Sequence, residues 1–323
     1  MPQDPRLGRL EGVVRVQTAS VAAVALVVSA LLAYGAVTTD GFLTLANFKA
    51  ILTATSFVGI IAVGMTVIML SGNLFSLSLG TTAAVTAMFF LYALQFGLGL
   101  AIVLTLGLGA LIVGLQGIVV GAWGANPIIV TIGAGGLQEG VALWVSGGHS
   151  LLPPTGETSY LHLARPVLGI PFGIYVFFVL AVITEAVLRE TRFGRETFLM
   201  GENRGAARAA ALPITLITVG VFAIAGFCTA TAGVLIGAAT ANGSLLLSGT
   251  YTYDAIAAAL VGGNAVTGGR GSVVRTVIGA ISIATVSDML LLRGYSTGIQ
   301  ILVKGLIVVI VVVLMNLGRI WNR

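Results

Sequence analysis

Ten long apolar runs decide what this chain can fold into. They fall at about 19–38, 50–71, 74–95, 98–122, 127–146, 170–189, 214–240, 252–264, 272–292 and 297–316. Most hold about 20 residues, enough for a helix rising 1.5 Å per residue to cross a hydrocarbon layer about 30 Å thick. None alternates polar and apolar residues as the strands of a membrane barrel do. Only 8% of the 323 residues are charged, against about 25% in soluble domains, so the chain cannot cover itself with a water-compatible surface. The expected fold is all-α: one polytopic transmembrane helical bundle, 1–323, of about ten spans. The run at 252–264 is short and is expected to be a half-helix or re-entrant segment.

Charge orients the bundle. With the N-terminus inside and the runs alternating, 12 of the 16 Lys and Arg lie on the inner side. The remaining four, Lys49, Arg165, Arg293 and Lys304, lie outside or within the membrane. Cytoplasmic loops carry such an excess, so both termini are expected in the cytoplasm, with 147–169 facing outward and 190–213 inward. The formal charge of +5 then reflects topology rather than nucleic-acid binding. The basic N-terminus and its long first run read as a retained helix rather than a cleaved signal. A single cysteine, Cys228, excludes an intrachain disulfide, and His149 and His162 stand in a polar loop without further metal ligands. No linker, low-complexity tract or internal repeat is visible.

The inner loop reads RETRFGRETFLMGENRGAARAAALP (189–213). Its small residues and alanines from Gly201 to Leu212 favour helix, and Pro213 stops it. Ala206, Ala207, Ala210 and Ala211 are expected to share one side. Such a face either fits a groove on another protein, with Glu202, Arg204 and Arg208 setting orientation, or lies on the lipid surface. Composition leaves the two open.

The stretch resembles the G-x-N-x-x-A-A-R segment of permease subunits of bacterial ABC importers, in the ribose/galactose-type monosaccharide branch. GFLTLANFKAIL (41–52), VGIIAVGMTVIMLSG (58–72), NPIIVTIGAGGLQEGVALWVSGG (126–148), TRFGRETFLMGENRGAAR (191–208), YDAIAAALVGGNAVTGGRGSVVRTVIGA (253–280) and IQILVKGLIVVIVVVL (299–314) match the family in order. The resemblance implies a coupling helix docking on a separate ATPase through Gly201, Glu202, Asn203, Arg204, Ala206, Ala207 and Arg208. It also implies a solute-binding protein outside, a second permease subunit, and residence in the bacterial inner membrane. The chain departs from the pattern at three places. FSLSLG (75–80) has Ser76 where the family has an acid, Arg204 and Gly205 replace two acids, and Glu139 stands where Arg is frequent.

Several residues are candidates for the solute path. Asn126 and Pro127 form a helix start, from which Thr131, Gln138 and Glu139 project to one side. Glu139 lies about 18 Å along that helix, a depth at which a carboxylate must face protein or a wet cavity. SGN (71–73) is either a turn or the break in a discontinuous helix, and in the second case Asn73, Ser76 and Ser78 join the path. Asp288 and Lys304 are expected to pair as a structural salt bridge. Gly114, Gly117 and Gly121 are expected to allow close helix packing. VGGNAVTGGRGS (261–272) lacks the Lys-Ser/Thr of a phosphate loop, and no cofactor is expected, ATP being bound by the partner. The function expected is a permease subunit of an ATP-driven, binding-protein-dependent importer for a small polar solute, most readily a monosaccharide. The alternatives are nucleosides or branched-chain amino acids as cargo, or a stand-alone secondary transporter. No clustered acid–base or metal site points to an enzyme.

Overall fold

The computed structural model describes residues 35, 38, 39 and 41–320, so most of the 19–38 run lies outside the described residues. What remains is an all-α membrane bundle. Seven of its helices are long and apolar enough to cross a bilayer. These are α1 (Leu45–Leu70), α2 with its 3-10 extension (Leu79–Phe96), α3 (Leu98–Ala122), α4 (Pro127–Ser146), α6 (Phe172–Glu190), α9 (Ile214–Thr240) and α11 (Val273–Leu292). Two more apolar helices follow the same pattern, α10 (Ser248–Val261) and α12 (Thr297–Ile320). Short pieces complete the chain: α5 (Leu161–Ala164), the strand pair β1 (Pro166–Val167) and β2 (Ile170–Pro171), α7 (Arg192–Glu202) and α8 (Arg204–Ala209).

Five helices start where the sequence supplies a side-chain cap. Thr44, Asn126, Thr191, Asn203 and Ser272 each accept a backbone N–H of the first turn beyond them, which satisfies one of the orphan donors. α1 and α9 form the centre: Ile60, Ile61, Met65, Ile68, Val221, Phe222 and Ala225 are fully shielded. The close approach of α3 to α9 explains the glycines of α3. A Cβ on Gly117 would lie 2.8 Å from Phe222 Cβ and 3.0 Å from Val219 Cα, one on Gly121 3.0 Å from Thr215 Cα, and one on Gly109 2.8 Å from Gly226 O. Gly114 is looser, 3.5 Å from Ala223 Cβ. These are small-residue contacts within one subunit.

α1 to α4 and α9 to α12 form two units of opposite direction. In each, a helix of 26 or 27 residues runs across the bundle, breaks, and is followed by a helix of 15 or 14 residues, then by two longer helices. α1 ends at the pole that holds α7 and α8, here termed the hook end. α9 starts at that pole and ends at the far one. The breaks have related sequences, LSLGT (77–81) and LLSGT (246–250). The order of helix lengths is thus alike in the two units while their direction is reversed. At 14 residues, α10 spans about 21 Å, which agrees with a half-helix starting inside the bundle.

Candidate functional site

The chain between α1 and α2 does not make a simple turn. Beyond Leu70 it passes through Gly72 (φ +78°) and Leu74 (φ +58°) and doubles back. Ser76 N–H reaches Met65 Sδ at 3.3 Å, about 7 Å up α1 from its end. Of the two expectations for SGN, the geometry is that of a broken helix, with α2 starting at depth. Irregular backbone there needs protein partners, and it has them. Leu77 N–H donates to Thr131 Oγ1 (3.1 Å), Ser76 and Ser78 share a hydroxyl contact (3.1 Å), and Ser78 Oγ donates to Gln116 Oε1 (2.8 Å). Ser78 occupies the N-cap position of α2 without capping it, because its hydroxyl is turned sideways into this cluster. One turn on, Thr82 Oγ1 meets Gln138 Oε1 at 2.8 Å. Gly80 N–H donates to Thr252 Oγ1 at 3.1 Å, which brings the starts of α2 and α10 together. Thr252 lies about 14 Å from the end of α10 and Gln138 about 17 Å from the start of α4, the mid-depth of a bilayer.

Of the expected path residues, Ser76, Ser78, Thr131 and Gln138 meet here, all buried. Asn73 is buried just below, donating to Ser71 Oγ at 2.8 Å. Two others do not meet them. Asn126 is exposed at the hook end and its carbonyl oxygen is spent on the N–H of Ile128 (2.9 Å). Glu139 does not share the side of Thr131 and Gln138: one residue beyond Gln138 it is turned by about 100°, and it is exposed, with no ion pair among the described residues. Beside it Gly133, Gly136 and Gly140 face open space. Sequence reasoning missed Gln116, Thr82 and Thr252. A lone amide inside the apolar run 98–122 was the available signal for Gln116.

At the hook end, Gly201 to Leu212 is not one helix. Asn203 is extended (φ −155°) and its side chain accepts Ala206 N–H at 2.9 Å, so α7 stops and α8 restarts at a new angle. The expected common alanine face is split accordingly. Ala207 is 4% exposed and belongs to the core, whereas Ala206, Ala210 and Ala211 are exposed, the last with φ +56°. Glu202, Asn203 and Arg208 are exposed. Gly201 is buried and faces inward: a Cβ there would lie 2.0 Å from Leu70 O and 2.6 Å from Gly269 N. Gly268 in turn would place a Cβ 2.5 Å from Gly72 Cα, and Gly269 N–H donates to Leu70 O at 2.9 Å. Three chain segments thus cross at glycines: the end of α1, the end of α7 and the turn 262–272.

That turn is held by Asn264, which donates to Ala259 O (2.9 Å) and Thr276 Oγ1 (2.8 Å) and accepts Ser272 N–H (2.8 Å). Glu185 on α6 accepts Val273 N–H at 2.7 Å and pairs with Arg189 at 3.0 Å. Arg204 is half-buried and points back toward Asn73 Oδ1 and Val120 O, each at 3.5 Å. Burial, and behind it the charge of Arg208, lower its pKa from the usual guanidinium value.

The expected pair of Asp288 with Lys304 does not form. Lys304 Nζ lies 2.5 Å from Asp254 Oδ1, both side chains more than nine-tenths buried, and Asp288 accepts from Asn47 Nδ2 at 2.8 Å. The hairpin spacing did not set azimuth: packing turns Lys304 toward α10 and Asp288 toward α1. Among the described residues no group of His, Cys, Asp and Glu could hold a metal ion.

Residues 47–312 match a protein family described as branched-chain amino acid transport system / permease component. The chain is 29% identical to the ribose import permease protein of Haemophilus influenzae, over 85% of this chain and 86% of the relative. It is 29% identical to the ribose import permease protein of Bacillus subtilis, over 84% and 85%. It is 30% identical to the autoinducer 2 import system permease protein of an Enterobacter strain, over 82% and 84%. No solved structure matches the chain.

Proposed function

The chain belongs to the permease-component family of branched-chain amino acid transport systems and is a multi-pass membrane permease, and from that premise we propose that it forms one half of the solute path of an ATP-driven sugar importer of the bacterial inner membrane. Its relatives are named for import of ribose and of autoinducer 2, which favours a monosaccharide-like cargo over an amino acid. α7 and α8 dock on a separate ATPase in the cytoplasm, the segment 147–169 faces a solute-binding protein, and both termini lie inside, with ten spans when the 19–38 run is counted. A second permease copy lies against the exposed side of α4. A carboxylate at mid-depth cannot face hydrocarbon, and Glu139 on that side, flanked by open glycines, suits a wet seam between two subunits.

The observation that carries this reading is the continuity of backbone from the hook to the mid-depth cluster. A displacement of α7–α8 by the ATPase cannot be absorbed by side chains at Gly201, because the contact there is backbone on backbone. It moves Leu70 and the 71–78 loop, and with that loop Ser76 and Ser78. The far pole has a counterpart: Leu151 and Gly243 exchange two backbone hydrogen bonds, of 3.0 and 2.8 Å, so the outer segment grips the break between α9 and α10. Each partner therefore holds one of the two breaks, which suits alternating access.

The test is the side of the hook. Cys228 is buried, so Ala206→Cys introduces one reactive thiol. A membrane-impermeant maleimide is expected to label it in inside-out vesicles and not in intact right-side-out ones. Labelling from the outside would overturn the coupling role.

A further inference from the structure

Two carboxamides at the start of α2 are built for something that the described residues do not supply. Gln116 and Gln138 are 5% and 9% exposed. Each engages one end of its amide, with the hydroxyls of Ser78 and Thr82, both at 2.8 Å. Each Nε2 has no hydrogen-bond partner among the described residues. A buried polar group left unpaired is destabilising by about 1–3 kcal/mol, and a leucine at either position would avoid that cost. Ser78 and Thr82 are neighbours one turn apart on α2, about 5–6 Å, so the two amides are anchored on adjacent hydroxyls at one site. The N-termini of α2 and α10 converge on it, each the positive end of a helix dipole.

We propose that Gln116 and Gln138 are the solute-selecting side chains of the path and that they take an uncharged, polyhydroxylated molecule of monosaccharide size. This rests on the permease reading above and narrows it. The cluster of Ser76, Ser78, Thr82, Gln116, Thr131 and Gln138 holds no charged group. Among the described residues the one ion pair with both side chains more than nine-tenths buried is Lys304 with Asp254, already joined at 2.5 Å. A zwitterionic amino acid would enter without a counter-charge, at the high cost of burying unpaired ions. A hydroxylated ring has no such cost. It also suits the chemistry of these amides. Thr82 has one proton and two acceptors in reach, Ser78 O at 2.9 Å and Gln138 Oε1 at 2.8 Å. When the proton goes to the carbonyl, Gln138 can turn its amide, and its free end changes from donor to acceptor. A sugar hydroxyl is donor and acceptor at once and satisfies either arrangement. The cluster is buried in this conformation, so solute reaches it when α3 and α4 part from α2.

The experiment is ATP-driven uptake by the full complex, permease with its ATPase and binding protein, in proteoliposomes. The probes are labelled D-ribose, D-xylose and D-galactose, with L-leucine as counter-probe. The wild type is expected to move at least one sugar and not leucine. Gln116→Leu and Gln138→Leu should each lower maximal sugar uptake about 3- to 10-fold, the effect of one neutral hydrogen bond. Gln116→Asn, which keeps the amide, should recover part of the uptake and alter the ratio between sugars, which a packing role would not do. Sugar uptake unchanged in both leucine variants overturns the selecting role and leaves the permease reading standing. Leucine uptake with no sugar uptake overturns the solute class. A wild-type complex that moves none of the four probes counts against the permease reading itself.

Discussion

Gly201→Ala is the sharpest perturbation of the glycine crossing, because two effects oppose each other and the geometry decides between them. Gly201 lies in the last turn of α7. On helix propensity alone, alanine there should stabilise by about 1 kcal/mol. The new methyl, however, would sit 2.0 Å from Leu70 O and 2.6 Å from Gly269 N, where ordinary contact begins near 3.4 Å. The segments must part by about 1.4 Å on the Leu70 side, the difference of the two distances. Both obstructing atoms are backbone, and they are the two ends of the Gly269–Leu70 hydrogen bond. Overpacking of this kind is destabilising by about 1–3 kcal/mol, and the stretched hydrogen bond adds about 1 kcal/mol. Set against the propensity gain, the net is a loss of about 1–3 kcal/mol. Thermal denaturation in detergent should show a melting temperature lower by several degrees, and ATP-driven uptake should fall with it. Gly205→Ala is the control: its methyl meets only Asn203 Oδ1, at 3.3 Å, so that variant should match or exceed the wild type. A Gly201→Ala protein as stable as wild type would refute the claim that the hook grips α1 through backbone.

Removing one partner of the Lys304–Asp254 pair, as Asp254→Asn or Lys304→Met, should destabilise by about 3–5 kcal/mol; the double variant should recover most of that, read as detergent melting temperature. The same double-mutant cycle on Asp288 and Lys304 should show no coupling. Asn264→Ala breaks three hydrogen bonds that shape the 262–272 turn and should cost about 2–3 kcal/mol, loosening the crossing so that ATP hydrolysis proceeds with less uptake. Arg208→Glu changes an exposed residue and should leave the melting temperature unaltered while weakening co-purification of the ATPase; intact co-purification and uptake would argue against docking there.

Some of this molecule is legible without coordinates. The apolar runs expected at 98–122, 127–146 and 214–240 are helices with those same bounds, because about 20 residues with almost no charge have one stable form in lipid. The same runs could not report azimuth. Thr131 and Gln138 reached the cluster, but Glu139, one residue further, is turned away from it, and Lys304 found Asp254 rather than Asp288. Gln116 looked like an isolated polar residue in a greasy run until α2 was seen to start beside it. The hook shows the same division: its small residues were evident, but Asn203 breaks it and hides Gly201 and Ala207 on the inner side.

The sequence by itself determined that this chain lives in a membrane, which stretches are apolar enough to form its long helices, and that it resembles a transport permease, since hydrophobicity and local motifs act along the chain and need no partner. The tertiary structure decided which polar groups meet, that glycines join the end of α7 to the end of α1, and that the starts of α2 and α10 meet inside the bundle. Those outcomes depend on rotation and close approach between segments separated by up to about 200 residues, and contacts at that separation leave no periodic trace in a single chain.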